Sequence, residues 1–233
     1  MTRDPVPDAA DLVEQMFPQA CWALVTGSVV GARRTPGSDL DIVVLLPDGD
    51  PQAPHRNSLR FRGWPVELFV HDSVSLAYYL AKDVSQRRPS LHRMVALGVP
   101  VKGEPGARQA ACARVLEAGP QPLTPTDRDH VRYMLTDLLD DYLHASAEER
   151  PVVAATLWLD AASAALNLAD HWVGTGKWRL RELRDLDEAL AQRWLAARDD
   201  PADFAREVLD QAGGPLFEGH RVAGERPTGA PHA

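Results

Sequence analysis

Val25-Thr26-Gly27-Ser28, a short loop, and then Ser38-Asp39-Leu40-Asp41-Ile42-Val43-Val44-Leu45-Leu46 set the architecture of the first half of the chain. The apolar run 21–26 reads as a buried strand that ends in a Gly-Ser turn. A second strand, 39–46, stops at Pro47-Asp48-Gly49-Asp50-Pro51, a cluster of turn-forming residues. Because strand side chains alternate, Asp39 and Asp41 emerge on one face, roughly 6–7 Å apart along the backbone. The apolar residues around them anchor the strand and hold both carboxylates in place. A lone Asp-x-Asp would equally suit a turn cap and a solvated strand residue. Gly27-Ser28 at the end of the adjoining strand favours a built site, because a glycine lets a ligand approach the backbone and a serine hydroxyl can donate to it.

Outward from this pair, 8–17 has helical periodicity and is closed by Pro18, while 58–62 and 66–70 flank Gly63-Trp64 as a hairpin. Helical patterns follow at 73–85, 90–97 and 107–118, with a short extended piece at 99–101. Gly119-Pro120-Gln121-Pro122 reads as a linker. Beyond it, Thr124-Pro125-Thr126-Asp127 combines a capping hydroxyl, proline at the first helical position and an acid in the first turn. From there the pattern is helical, including 151–172 and 181–197. The expected organisation is α+β: a mixed-sheet domain over 1–118, a helical-bundle domain over 119–212, and a mobile tail over 213–233.

The Gly-Ser turn followed by Ser28-Val29-Val30-Gly31 also reads as the entrance to a short helix whose free N–H groups and dipole can hold phosphate. Paired hard carboxylates suit Mg²⁺, which keeps waters and phosphate oxygens in its other positions. The chain here resembles the DNA polymerase beta-like nucleotidyltransferases, whose motif is an apolar residue, Gly, Gly or Ser, a loop, then Asp-apolar-Asp or Asp-apolar-Glu. Val25-Thr26-Gly27-Ser28 and Asp39-Leu40-Asp41-Ile42 match it. Within that superfamily, 27–39 is most similar to the streptomycin and spectinomycin adenylyltransferases, which pair such a domain with a helical one. Val29 departs from the small antitoxin-type members, which often carry arginine there.

The resemblance implies a catalytic and metal-binding set of Asp39, Asp41 and a third carboxylate on a later strand. Glu67 in Val66-Glu67-Leu68 supplies it, with Asp72 as a weaker substitute. Glu67 is also implied as the general base, with Asp160 as a rival. Gly27, Ser28 and Ser38 would hold the triphosphate with Lys177, which is expected in a loop at Gly176-Lys177-Trp178-Arg179. Asp160, Asn167 and His171 share one helical stripe and are candidates for an acceptor pocket, or a polar edge of a surface helix. Arg33 and Arg34 could neutralise phosphate charge. Asp137, Asp140 and Asp141 could attract a cationic aminoglycoside, although a solvated helix face explains them as well. The tryptophans are expected to pack the core.

The expected reaction is transfer of a nucleoside monophosphate, AMP from ATP, to a hydroxyl of a small molecule with release of pyrophosphate. The cofactors would be two Mg²⁺ ions, with ATP or another nucleoside triphosphate as co-substrate. A protein-modifying enzyme of antitoxin type and a non-catalytic nucleotide-binding regulator are the alternatives. A formal net charge of −8 argues against broad nucleic-acid binding. No window approaches the long uncharged apolar run that a membrane span requires, and Met1-Thr2-Arg3-Asp4-Pro5 lacks the apolar segment of a secretory signal, so a cytoplasmic protein is expected. Cys21 and Cys112 have no metal-type spacing and are expected as free thiols.

Overall fold

Residues 4–32 and 34–224 are described by the computed structural model. Helix α1 (Pro5–Met16) begins earlier than its apolar period suggests, because the Asp4 carboxylate accepts from Val6 N–H and Pro5 pre-sets the first helical φ. Strand β1 (Trp22–Thr26) is wholly buried. After a single 3₁₀ turn, Ser28–Val30, the chain returns as β2 (Leu40–Leu45). A hairpin of β3 (His55–Phe61) and β4 (Trp64–His71) follows, turning at Arg62 and Gly63, both at positive φ. That conformation matches the twist of the strands it joins.

Helices α2 (Ser73–Ser85) and α3 (Ser90–Leu97), strand β5 (Val99–Gly103) and helix α4 (Gly106–Ala118) complete the first unit. The five-stranded sheet has the order β3-β4-β2-β1-β5. It is mixed: β2 runs parallel to β4, and the other neighbours are antiparallel. Alternation sorts its faces. Val25, Leu40, Ile42, Val66 and Leu68 pack under α1, against Leu12 and Val13. Trp22, Leu24 and Val43, on the other face, pack with Leu76 and Leu80 of α2 and Leu91 and Val95 of α3. Each fully buried side chain of this size contributes about 1.5–3 kcal/mol. Asp41 and Glu67 share this second face with Val43 and Phe69.

The chain divides into two compact units, Met1–Pro120 and Gln121–Ala233. The second holds α5 (Pro125–His144), α6 (Arg150–Leu168), α7 (Lys177–Leu186), α8 (Glu188–Ala196) and α9 (Ala202–Gln211). Thr124 caps α5, accepting from Asp127 N–H at 3.1 Å, as its sequence suggests. The core of this unit forms around Leu157, Ala161, Ala165 and Leu166 of α6. Trp158 and Trp194 stack 4.4 Å apart, and each indole N–H donates to the other residue's carbonyl at 2.8 Å, tying α6 to α8.

Three expectations need correction here. At 19 residues and a mean hydropathy of 1.3, α6 is long and apolar enough to cross a membrane by composition. Its apolar character comes largely from alanine and is interrupted by Asp160, and its Leu157-to-Leu166 stripe is packed in the core of this unit. The helix also stops at Leu168 instead of running to Trp172. Asp170 sits at φ 51°, accepts Leu123 N–H at 2.9 Å, and Arg128 donates to the Leu168 carbonyl. Lastly, 181–197 is two helices that begin earlier, at Lys177, and break at Asp187, whose carboxylate caps α8.

Residues 213–220 of the expected tail lie against α5. Arg132 donates to the carbonyls of Gly213 and Gly214, and Leu216 N–H donates to Thr136 Oγ1 at 3.0 Å. Phe217 and His220 stack on Tyr133. Residues 225–233, also assigned to that tail, are outside the described residues.

Candidate active site

Strand register sets Asp41 and Glu67 side by side. Thr26 of β1 pairs with Asp41 of β2, and Asp41 pairs with Glu67 of β4, so the three side chains form a row across adjacent strands. Neighbouring strands are about 4.8 Å apart. Asp39 lies one alternation before Asp41, just ahead of β2, and lines a shallow depression of about 360 Å³ with Glu67 and Ser58. Thr26 and Ser38 are buried, whereas Asp39, Asp41 and Glu67 are half-buried at the rim. Thr26 was not singled out from sequence; its only signal was its place before Gly27.

Gly27 is required twice over. Its φ of 85° is a conformation L side chains avoid, and a Cβ there would stand 2.3 Å from Asp41 Oδ2. The Asp41 carboxylate thus lies directly on the glycine backbone. Ser28 Oγ and Ser38 Oγ share a hydrogen bond of 2.8 Å, and Ser38 Oγ accepts Thr35 N–H at 3.0 Å, which closes the loop between the two motifs. The helix expected after Gly27 is one 3₁₀ turn of 3 residues, too short to carry a useful dipole. The donors this loop offers are therefore backbone N–H groups and the hydroxyls of Ser28 and Ser38.

Glu67 is turned toward the sheet edge. Arg56 of β3 pairs with it at 3.2 Å, and the same guanidinium lies over the Phe69 ring at 4.3 Å. Arg56 escaped the sequence reading because β3 was expected to begin at residue 58. Among the described residues, no group of three or more His, Cys, Asp or Glu side chains is gathered to hold a metal ion. Asp72, the substitute third carboxylate, is instead the N-cap of α2: its carboxylate takes both Ser75 N–H and Ser75 O–H, which hold it below the usual Asp range. Arg34 lies 5.2 Å over the Trp64 ring. Arg33, the other candidate for phosphate charge, is outside the described residues.

The remaining candidates belong to the second unit. Lys177 is exposed and opens α7. Asp160 and Asn167 line a groove of about 430 Å³ between α5 and α6 with Asp137, Asp141, His130 and Ser163. His171 leaves this group: it lies beyond the end of α6, and its Nδ1 is 3.5 Å from the buried Glu182 of α7. The expected stripe is therefore Asp160 and Asn167 without His171. Asp140 is absent from the groove lining and pairs with His144.

No protein-family model and no curated protein matches the chain. Among solved structures it is similar to a nucleotidyltransferase-like protein from Exiguobacterium sibiricum 255-15, at 10% identity and a TM-score of 0.44. The alignment covers 89% of this chain and 73% of that one.

Proposed function

We propose that the chain is a nucleotidyltransferase that moves a nucleoside monophosphate, AMP from ATP, onto a hydroxyl of a small acceptor and releases pyrophosphate. The observation that carries this reading is the Asp41 carboxylate seated on the bare backbone of Gly27, with Glu67 beside it on the neighbouring strand. Phosphate oxygens held at Gly27 and Ser28 would lie against that carboxylate. Such an arrangement needs a cation between like charges, and the donor set is hard oxygen throughout, which suits Mg²⁺. Asp39, Asp41 and Glu67 are the residues that would hold it, and because they are not gathered round one point in this structure, Glu67 would have to leave Arg56 and turn toward Asp41 to do so. Bound there, Mg²⁺ supplies charge stabilisation for in-line displacement.

The chain's own groups divide the remaining work. Ser28 and Ser38 exchange their mutual hydrogen bond for phosphate oxygens. Glu67 takes the proton of the acceptor hydroxyl, for which it must leave Arg56; that pair is exposed and costs on the order of 1 kcal/mol or less to break. The groove holding Asp137, Asp141 and Asp160 supports a cationic acceptor of the aminoglycoside type.

Pyrophosphate release from ATP and Mg²⁺ with a panel of hydroxylated acceptors, aminoglycosides first, tests the reading. Asp41→Asn should abolish transfer while leaving the circular-dichroism spectrum and melting temperature unchanged. Full activity in that variant would remove the assignment. A fold that binds ATP tightly yet never releases pyrophosphate with any acceptor would instead favour a nucleotide-binding regulator.

A further inference from the structure

The carboxylate-bearing face of the sheet has a second concavity, about 280 Å³, between the far end of the β3–β4 hairpin and helices α2 and α3. Phe69 and His71 of β4 form its floor, continuing the alternation that starts at Glu67. Tyr79, Asp83 and Met94 wall it, and Arg56 stands at its edge. At 280 Å³ it is small for a ligand pocket, the size for a ring and not for a whole nucleotide.

Its polar groups are of an unusual kind for a surface hollow. His71 is 7% exposed, and its Nδ1 is buried with no hydrogen-bond partner among the described residues. Burial lowers its pKa, so the imidazole is neutral at pH 7 and offers one donor and one acceptor nitrogen. Leaving a buried ring nitrogen unpaired costs about 1–3 kcal/mol. Asp83 lines the wall, and its Oδ2 accepts Leu91 N–H at 2.6 Å and lies 3.6 Å from His92 Nδ1, which fixes that carboxylate at the rim of the hollow. Arg56 supplies donors opposite, over the face of Phe69. Tyr79 tilts against His71 at 5.4 Å, and Met94 is a pliable apolar surface of the sort that covers aromatic rings. A carboxylate in the wall, a guanidinium at the edge, a neutral imidazole in the floor and apolar flanks suit a neutral planar ring with both amino and carbonyl or ring-nitrogen groups on its edge.

We propose that this hollow is a binding site for a nucleobase-type heterocycle, with Asp83 accepting from its amino edge, Arg56 donating to its acceptor edge, and His71 in the floor. Because Arg56 also pairs with Glu67, a bound ring and the third carboxylate draw on one guanidinium. Occupancy and the state of Glu67 are thereby linked. The site stands on its own geometry and does not require the transferase reading.

The probe is free adenine, titrated into the full chain without Mg²⁺ and followed by calorimetry and by the imidazole ¹⁵N signals. Saturable binding that shifts the His71 resonances, survives Asp41→Asn, and weakens tenfold or more in both Met94→Trp, which fills the hollow, and Arg56→Gln is the expected result. The exposed Arg56 variant keeps the test meaningful should the Met94 variant fold poorly. Binding that is absent, or unchanged in folded variants, overturns the proposal, as does capture of phenylalanine in preference to adenine. With ATP and Mg²⁺ added, competition by adenine would identify the ring as the donor's own base. Simultaneous binding would identify a separate molecule. Because the adenine titration is independent of Asp41, loss of transferase activity and loss of this site are separately visible.

Discussion

Gly27 shows how much one missing side chain can carry. Its positive φ and the Asp41 carboxylate on its backbone both exclude a Cβ, so Gly27→Ala must displace the carboxylate or the turn. Misplacement of a reacting group by about 1 Å costs about 10²-fold in rate. If the proposed transfer holds, Gly27→Ala should reduce pyrophosphate release by about 10²-fold, with little change in the far-ultraviolet spectrum; undiminished release in that variant would refute the close approach. The need for glycine here is readable locally as a Gly-Ser turn, but its reason is not, because Asp41 arrives from another strand.

His71 makes a second residue-scale case. Burial holds its folded pKa below the ordinary 6.5, with Asp72 opposing and His55 adding to the effect. A base whose folded pKa is depressed takes up its proton more readily when unfolded. Its contribution to stability is full above about pH 7 and is lost as pH falls from 6.5 toward the folded value. His71→Phe should flatten the fall in urea midpoint between about pH 7 and about pH 5. An unchanged slope would mean that another group sets the acid limit.

At the scale of elements, strand alternation made the facing of Asp39, Asp41 and Glu67 legible from Asp-Leu-Asp and Val-Glu-Leu. Their adjacency was not, since it depends on β2 pairing parallel to β4, a non-local choice made by packing. Helix ends were the weakest reading for a related reason. The apolar period runs on through Ala169, and the left-handed turn at Asp170, held by contacts with Leu123 and Arg128, together with the bond from Arg128 to the Leu168 carbonyl, ends α6. His171 lies outside the stripe because α6 ends before it. Within α6, Leu157 is fully buried, so Leu157→Ala should cost about 2–5 kcal/mol. A cost below 1 kcal/mol, measured by denaturant unfolding, would contradict the packing around α6.

Across the whole molecule, each hydrophobic core among the described residues draws on one unit alone: α1, the sheet and α2–α4 in the first, α5–α9 in the second. Unfolding should report this. In Leu157→Ala, helical signal from the second unit should melt at a lower temperature, while the signals of Trp22 and Trp64, buried in the first, hold their midpoint. A single transition shifting as one would show that the cores unfold together.

Local chemistry was sufficient for the element types, the mixed sheet followed by helices, the capped start at Thr124, and the shared facing of the carboxylates. Those follow from side-chain period, capping groups and turn residues, which act within a few positions of the chain. Long-range pairing decided the rest: the register that sets Asp41 between Gly27 and Glu67, the diversion of Glu67 to Arg56, the end of α6 before His171, and the hollow over His71. Each joins residues far apart in sequence, and their contact energies exist only once the strands and helices have packed.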